Sequence, residues 1–231
     1  MLTEETFSFT LLLLLSLFLP LRLNALSDDN NKIYYLALGD SFPSGVSISG
    51  LPPGNKIFPA YSYADALYDM LKKKNTNLEL KKFARGGEPS DDLIINQLNN
   101  VTNFMKSNSG LTKLVTITTG INDFRNCSNS TNFSECFKSK LNNLTSNLNN
   151  MIIPRLKEAG GEGVQYVGTT YFFYPSLDDS LVSIYSANGF KVVDFRRIIT
   201  NDTKCDYTYQ CKYGDIHPTP NGSQAIANVL F

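Results

Sequence analysis

Five short apolar segments recur along the chain beyond its N-terminal region. Each is rich in β-branched or aromatic residues and is bounded by turn-forming residues such as Gly or Asn, a combination typical of buried strands. This pattern predicts five β-strands. They are residues 32–39, 78–84, 113–120, 164–171 and 190–195.

Between these strands, apolar residues return every three or four positions, which is the period of one helix face. Residues 60–74 and 91–106 are predicted helices on this basis. At the C-terminus, Thr219 is a predicted N-cap and Pro220 the first residue of a last helix. A longer helix between the third and fourth strands carries one apolar stripe, made of Phe137, Leu141, Leu144, Leu148, Met151 and Ile152.

Strand and helix therefore alternate five times, and this alternation predicts a parallel sheet covered by helices on both faces. The expected fold class is α/β, a flavodoxin-like three-layer α/β/α sandwich with a five-stranded parallel sheet. A length of 231 residues and a hydrophobic content of 42% suit one such domain, over residues 28–231.

Residues 1–27 are predicted to be a signal peptide. Their apolar core of 13 residues is too short to span a bilayer, and Ala25 and Ser27 supply the small residues of a cleavage site. Glu4 and Glu5 depart from the usual pattern, in which basic residues precede the apolar core. We expect a secreted, extracellular protein without a stable membrane anchor.

Charge and composition restrict the class of binding partner. Basic and acidic side chains balance at 21 each, and no block of either sign stands out. The chain therefore lacks the electrostatic footprint of a nucleic-acid-binding protein, and a small or neutral partner is expected. We expect the protein to be a monomer.

Glycosylation motifs and cysteines agree with secretion. Four cysteines predict two disulfides with three possible pairings, of which we favour the local ones, Cys127 with Cys136 and Cys205 with Cys211. A zinc site is disfavoured, because the chain has one histidine and no C-x-x-C pair. Candidate N-glycosylation sites are Asn100, Asn126, Asn129, Asn132, Asn143, Asn201 and Asn221.

Candidate chemistry follows the ends of the predicted strands, where open parallel sheets bind their ligands. Ser41 comes directly after the first strand, Gly86 and Gly87 after the second, and Asn122 after the third. A serine hydroxyl becomes a nucleophile when a neighbouring base takes its proton, and His217 is the chain's one histidine. The amide of Asn122 and the N–H groups of a glycine and of Ser41 are candidate donors to an oxyanion.

These four segments resemble the sequence blocks of the SGNH (GDSL-type) esterase and lipase family. The matching stretches are "GDS", "GGEPS", "GIND" and "DIHP", in the family's order over residues 39–218. The resemblance is to secreted bacterial and fungal members. It implies that Ser41 is the nucleophile, Gly87 and Asn122 are oxyanion donors and His217 is the general base, with no metal or other cofactor.

One departure from the family pattern concerns the catalytic acid. The family usually has an aspartate three residues before the histidine, where this chain has Gly214, and Asp215 stands only two residues before His217. Either Asp215 or a backbone carbonyl is expected to orient the imidazole. The two favoured disulfides would then brace the loops that carry Asn122 and His217.

The expected function is a secreted serine esterase that hydrolyses carboxylic acid esters through an acyl-enzyme, with a small-molecule or glycan-linked ester as substrate. A polysaccharide O-acetylesterase is the alternative enzyme, and a non-catalytic secreted binding protein on the same fold is the alternative from another class. Residues 171–174, an aromatic run after the fourth strand, are expected to line an acyl or sugar pocket.

Overall fold

The computed structural model describes residues 32–49, 56–59 and 61–231, and the predicted signal peptide lies outside these ranges. Lys32–Phe231 form one compact unit. The described strands are β1 (Ile33–Gly39), β2 (Val46–Ser49), β3 (Lys56–Pro59), β4 (Leu78–Lys82), β5 (Thr112–Thr118), β6 (Gln165–Thr169) and β7 (Lys191–Val193).

Five of these strands form a parallel sheet in the order β4-β1-β5-β6-β7, which confirms the predicted fold class. The chain builds outward from β1 to β4 on one side and then returns to place β5 on the other side. The strand order therefore reverses between β1 and β5, and the crevice beyond their carboxyl ends is where such sheets bind ligands. Ser41 and Asn122 follow these two strands.

Helices cover the two faces of this sheet. Thr219 caps the last helix as predicted, because its Oγ1 accepts a hydrogen bond from the N–H of Gly222 at 3.1 Å. The helices are α1 (Ser41–Ser44), α2 (Tyr63–Lys74), α3 (Ser90–Leu93), α4 (Asn99–Ser107), α5 (Phe133–Asn147), α6 (Ile153–Gly160), α7 (Pro175–Ala187), α8 (Lys204–Tyr207), α9 (Gln210–Tyr213) and α10 (Pro220–Leu230).

Two helical rods contain a π turn, which the periodicity did not predict. The turn Ile94–Leu98 joins α3 to α4, and the turn Leu148–Ile152 joins α5 to α6. A π turn holds one more residue than an α turn, so it shifts the buried face of the rod. The predicted stripe is wrong only at Met151, which is 41% exposed, because Leu144, Leu148 and Ile152 are all buried.

The strands differ from prediction mainly at their ends. β4, β6 and β7 end before the apolar runs do, because the chain leaves the sheet there to form the loops of the crevice. An antiparallel pair of β2 with β3 was not predicted. No helix in the described ranges is long and apolar enough to cross a membrane.

Candidate active site

The turn after β1, residues 39–41, presents Ser41 as the first residue of α1. Asp40 caps this helix, since its Oδ1 accepts a hydrogen bond from the N–H of Phe42 at 3.0 Å. Gly39 has φ +119°, and a Cβ at this position would lie 1.8 Å from the carbonyl oxygen of Thr118 in β5. Only glycine therefore allows the two central strands to approach each other where the serine emerges.

His217 meets Ser41 across the crevice. The Nε2 atom of His217 lies 2.6 Å from Ser41 Oγ, although the two residues are 176 positions apart in the sequence. On the other side of the ring, Nδ1 lies 2.5 Å from Asp215 Oδ1. Ser41 and His217 each keep 9% of their surface exposed and Asp215 keeps 8%, so the three groups are shielded from bulk water but reachable.

Asp215 reaches the imidazole despite its unusual spacing. Its Oδ1 also accepts a hydrogen bond from the backbone N–H of His217 at 3.0 Å, which folds the side chain back over its own loop. Just before it, Gly214 ends α9 with φ +66°, a left-handed conformation that turns the chain. Of the two predicted alternatives, the structure brings the Asp215 carboxylate to Nδ1.

The loop that carries the histidine, residues 215–219, is held by a neighbouring segment. The N–H of Tyr209 donates to the carbonyl of His217 at 3.1 Å, and the N–H of Thr219 donates to the carbonyl of Tyr207 at 2.9 Å. The disulfide Cys205–Cys211 closes this segment on itself. The loop of His217 is therefore held by the segment that the disulfide Cys205–Cys211 closes.

Asn122 and Gly87, the predicted oxyanion donors, belong to two loops in contact. Asn122 lies in the 3-10 turn Ile121–Phe124, and its Nδ2 donates to the carbonyl of Glu88 at 3.2 Å. Gly87 has φ +81°. Arg125 Nη2 joins the two loops, since it donates to Asn122 Oδ1 and to the carbonyl of Gly87, both at 3.0 Å.

Gln97 is a residue of the site that the sequence pattern did not predict. It is buried, and its Oε1 accepts from the N–H of Gly39 at 3.0 Å while its Nε2 donates to the carbonyl of the same residue at 2.7 Å. The same Nε2 donates to Glu88 Oε2 at 2.8 Å. Gln97 thus ties the serine turn to the glycine loop, residues 86–88. The π turn that carries Gln97 gave no signal in the hydrophobic pattern.

Tyr171 does not line a pocket as expected, whereas Phe173 and Tyr174 of the same run do line the aromatic cleft described below. The side chain is fully buried, donates its hydroxyl to Asp40 Oδ2 and accepts from the N–H of Ile121 at 3.2 Å. Its own N–H donates to Asp178 Oδ1 at 2.7 Å. Burial raises the pKa of Asp40 and of Asp178 to about 6 each. Tyr171 thereby links the turn after β1 to the turn after β5.

Asp123, the last residue of "GIND", points away from the proposed chemistry. Its carboxylate accepts from the N–H of Ser90 at 2.9 Å and from the Ser90 hydroxyl at 2.5 Å. Asn147 Nδ2 donates to the same hydroxyl at 2.8 Å. Burial raises the pKa of Asp123 above its ordinary value. Asp123 anchors the start of α3 to the 3-10 turn.

An aromatic cleft of about 250 Å³ opens beside the loops that carry Asn122 and His217. Two of its walls, Ile121 and Ile216, are the chain neighbours of Asn122 and His217. The remaining lining residues are Phe124, Arg125, Ser128, Phe133, Phe137, Phe173, Tyr174 and Gln210. The disulfide Cys127–Cys136 closes the segment that contributes Ser128 and Phe133. This second disulfide also has the favoured pairing.

The candidate glycosylation sites lie on the surface, and the described residues do not meet the requirements of a metal site. All seven candidate asparagines are exposed. Within the described part of the chain, no group of three or more His, Cys, Asp or Glu side chains is arranged to hold a metal ion.

Comparison with protein families gives one match. The family model described as GDSL-like lipase/acylhydrolase matches residues 35–230. This range covers all four sequence blocks and nearly all of the described residues. No curated protein matches the chain significantly by sequence.

Solved structures share the fold at low sequence identity. A lipase from a goat rumen metagenome matches with a TM-score of 0.59 and 19% identity over 86% of this chain and 96% of its own. An extracellular lipase from Streptomyces rimosus gives 0.53 and 18% over 86% and 100%. An acetylxylan esterase from Geobacillus stearothermophilus gives 0.62 and 16% over 86% and 92%. These likenesses establish a common architecture.

Proposed function

This chain belongs to the GDSL-like lipase/acylhydrolase family, and from that membership and its site we propose that it is a secreted serine esterase that hydrolyses carboxylic acid esters through an acyl-enzyme. The contact that carries the proposal is the 2.6 Å approach of His217 Nε2 to Ser41 Oγ. A nucleophile and a base within hydrogen-bonding reach, with a third group on the far side of the base, are the arrangement that serine acylation requires.

In the first half of the reaction, Ser41 Oγ attacks the ester carbonyl carbon and its proton passes to His217 Nε2. The carbonyl π electrons move to oxygen and form a tetrahedral oxyanion. Asp215 accepts from Nδ1–H and stabilises the imidazolium. Collapse of the intermediate breaks the bond to the alcohol oxygen, which takes the proton from Nε2 and leaves.

The second half repeats these steps with water. His217 removes a proton from the water as its oxygen attacks the acyl carbon, and the proton then returns to Ser41 Oγ as the acid leaves. The oxyanion donors are the N–H groups of Ser41 and Gly87 and Nδ2 of Asn122. The N–H of Ser41 suits this role because the first N–H groups of a helix have no partner within it.

The aromatic cleft is the proposed binding place for the apolar part of the ester. It lies beside Ile121 and Ile216, so a group bound there would have its carbonyl close to Asn122 and His217. Phe133 and Tyr174 expose 48% and 42% of their surfaces at its rim, which leaves the cleft open to solvent. An open, aromatic-lined cleft favours soluble esters with a compact apolar group.

The experiment that tests the proposal combines covalent labelling with ester hydrolysis. A fluorophosphonate should label the purified protein once, at Ser41, and Ser41→Ala should abolish both labelling and hydrolysis. Ser44→Ala, three residues further along α1, is the matched control and should keep both. Labelling at another residue, or no labelling of folded protein, would refute the nucleophile assignment.

The substrate class is tested on a panel of p-nitrophenyl esters from acetate to palmitate, run beside acetylated xylan and pectin. The proposal expects turnover of short and medium acyl esters that exceeds acetate release from the glycans. The opposite preference would instead assign a polysaccharide O-acetylesterase, and no turnover by labelled protein would favour a binding role.

Secretion is tested separately by expressing the full chain in a eukaryotic secretory host. We expect the protein in the medium, an N-terminus at Asp28 and a fall in mass on treatment with a peptide N-glycosidase. Retention in the cell with residues 1–27 intact would contradict this part of the proposal.

A further inference from the structure

Arg125 stands between the two loops that are proposed to hold the oxyanion. It follows Asn122 by three residues, its side chain is exposed, and one of its nitrogens bonds both loops. We propose that Arg125 is a positioning residue that fixes the amide of Asn122 and the glycine loop in the geometry that receives the oxyanion. This inference rests on the proposed esterase function.

The two ends of the Asn122 amide have nearly the same shape but opposite hydrogen-bonding character. A guanidinium only donates, so Arg125 can bond Oδ1 and cannot bond Nδ2. A backbone carbonyl only accepts, so the carbonyl of Glu88 can bond Nδ2 and cannot bond Oδ1. The two contacts together permit one orientation of the amide and oppose its reversal.

That orientation leaves one hydrogen of Nδ2 for the substrate, because Nδ2 carries two hydrogens and the carbonyl of Glu88 takes one. In the reversed amide, Oδ1 would take the place of Nδ2 and would repel a developing oxyanion. Arg125, which also lines the aromatic cleft, therefore acts on the oxyanion through Asn122, since it decides which end of that amide faces the substrate.

The second contact extends the same control to Gly87. Arg125 donates to the Gly87 carbonyl at 3.0 Å, and a Cβ added at Gly87 would lie 3.2 Å from the same guanidinium nitrogen. The glycine loop is fixed from behind as well, because Gln97 and Asn96 donate to the Glu88 carboxylate at 2.8 and 2.9 Å. Arg125 closes this framework on its solvent side.

Arg155 provides a matched control. It is a partly exposed arginine whose Nη2 donates to an asparagine Oδ1, that of Asn99, at 2.6 Å, but it lies in α6 and its hydrogen bond goes to neither loop. Arg155→Ala removes the same kind of side chain and the same kind of hydrogen bond. Its kcat should stay within about two-fold of the wild type, as expected for a surface pair.

The test is a double-mutant cycle of Arg125→Ala and Asn122→Ala, measured as kcat and KM on one soluble ester. Loss of one oxyanion donor lowers kcat by roughly 10²–10³-fold, so we expect Arg125→Ala to lower kcat by about 10-fold or more without exceeding that range. KM should change less than kcat. In the Asn122→Ala background, removal of Arg125 should cost at most about a third of that factor, since its main target is gone.

Arg125→Lys separates hydrogen bonding from charge and bulk. Lysine keeps donors but lacks the planar fork, so its kcat should lie between those of the alanine variant and the wild type. Addition of methylguanidinium to Arg125→Ala should raise kcat and should leave Arg155→Ala unchanged. Thermal unfolding of each variant verifies that folded protein is compared.

The outcomes distinguish this proposal from the esterase function itself. A wild-type protein that neither hydrolyses esters nor labels at Ser41 would overturn both. An active wild type whose Arg125→Ala variant keeps kcat within two-fold would overturn only the role of Arg125. Equal factors from Arg125→Ala with and without Asn122 would also overturn it, because they would show that the arginine acts independently of the amide.

Discussion

Ser41 and His217 meet at 2.6 Å, but the chain holds them in different ways. The turn that carries Ser41 is held by partners distant in sequence, Gln97 and Tyr171, which are both buried. The loop that carries His217 is held by hydrogen bonds to residues at most 13 positions away and by the segment that the disulfide Cys205–Cys211 closes. The proposed nucleophile thus depends on the core of the fold, and the proposed base depends on a local brace.

The largest effect that separates the two sides should come from the acid beside the base. Asp215→Asn keeps the shape of the loop but replaces the carboxylate that contacts His217 Nδ1, so kcat should fall by roughly 10⁴-fold with little change in thermal stability. Asp206→Asn, an exposed aspartate of the same segment, should keep full activity. A fall of less than ten-fold for Asp215→Asn would mean that another group orients the imidazole.

On the nucleophile side, the next largest effect should be on stability. Tyr171→Phe leaves the Asp40 carboxylate without one of its donors and the N–H of Ile121 without its acceptor, which should lower the free energy of unfolding by ~3 kcal/mol. Tyr185→Phe is the control, since the buried hydroxyl of Tyr185 has no hydrogen-bond partner among the described residues. Chemical denaturation should find Tyr185→Phe neutral or stabilising, and equal losses for both would contradict the bridging role of Tyr171.

The stability of the Ser41 side should also depend on pH through Asp178, which accepts from the N–H of Tyr171. Asp178 has a pKa of about 6 in the folded protein against an ordinary value of 3.8, so ionisation is harder in the folded state than in the unfolded state. Its contribution to stability is therefore complete below about pH 4 and is lost as the pH rises through about 6, by ~2–3 kcal/mol. In Asp178→Asn this part of the pH dependence should vanish; an unchanged slope would reject the assignment.

On the base side, the smallest effect should come from the disulfides. Cys205→Ser with Cys211→Ser should cost ~2 kcal/mol of stability, as expected for a short closed loop, and should lower kcat because the brace of the His217 loop is loosened. Removal of the disulfide Cys127–Cys136 should cost a similar amount of stability. Its removal should act mainly on KM, because this disulfide closes a segment that lines the aromatic cleft. Identical changes in kcat and KM for the two disulfide variants would contradict the difference between the two sides.

The sequence predicted what local chemistry determines. β1 is an apolar run ended by Gly39, and α10 begins at Thr219 and Pro220, and both occur in the structure as predicted. The favoured cysteine pairs also occur, because short separations leave little freedom in pairing. These features depend on residues close together in the chain, which a pattern can capture.

The sequence did not predict the residues that join distant loops. Gln97 and Arg125 look like ordinary polar side chains on a helix and after a turn, and Tyr171 looks like part of an aromatic run. Their partners lie between 3 and 131 positions away, and the longer separations become contacts only when β1, β5 and β6 align in the sheet. The exposed Met151 failed for a related reason, since a π turn is stabilised by tertiary packing that no local period records.

The π turn Ile94–Leu98 lies between α3 and α4 and changes which helix face is buried before and after it. Deletion of one residue from this turn would restore a plain α-helix and rotate everything before it by ~100° relative to everything after it. Val101 and Met105 would stay buried in the core, while Gln97 would lose its hydrogen bonds to Gly39. The one extra residue in this turn thus lets the same helix bury its apolar residues in the core at one end and bond the turn after β1 through Gln97 at the other.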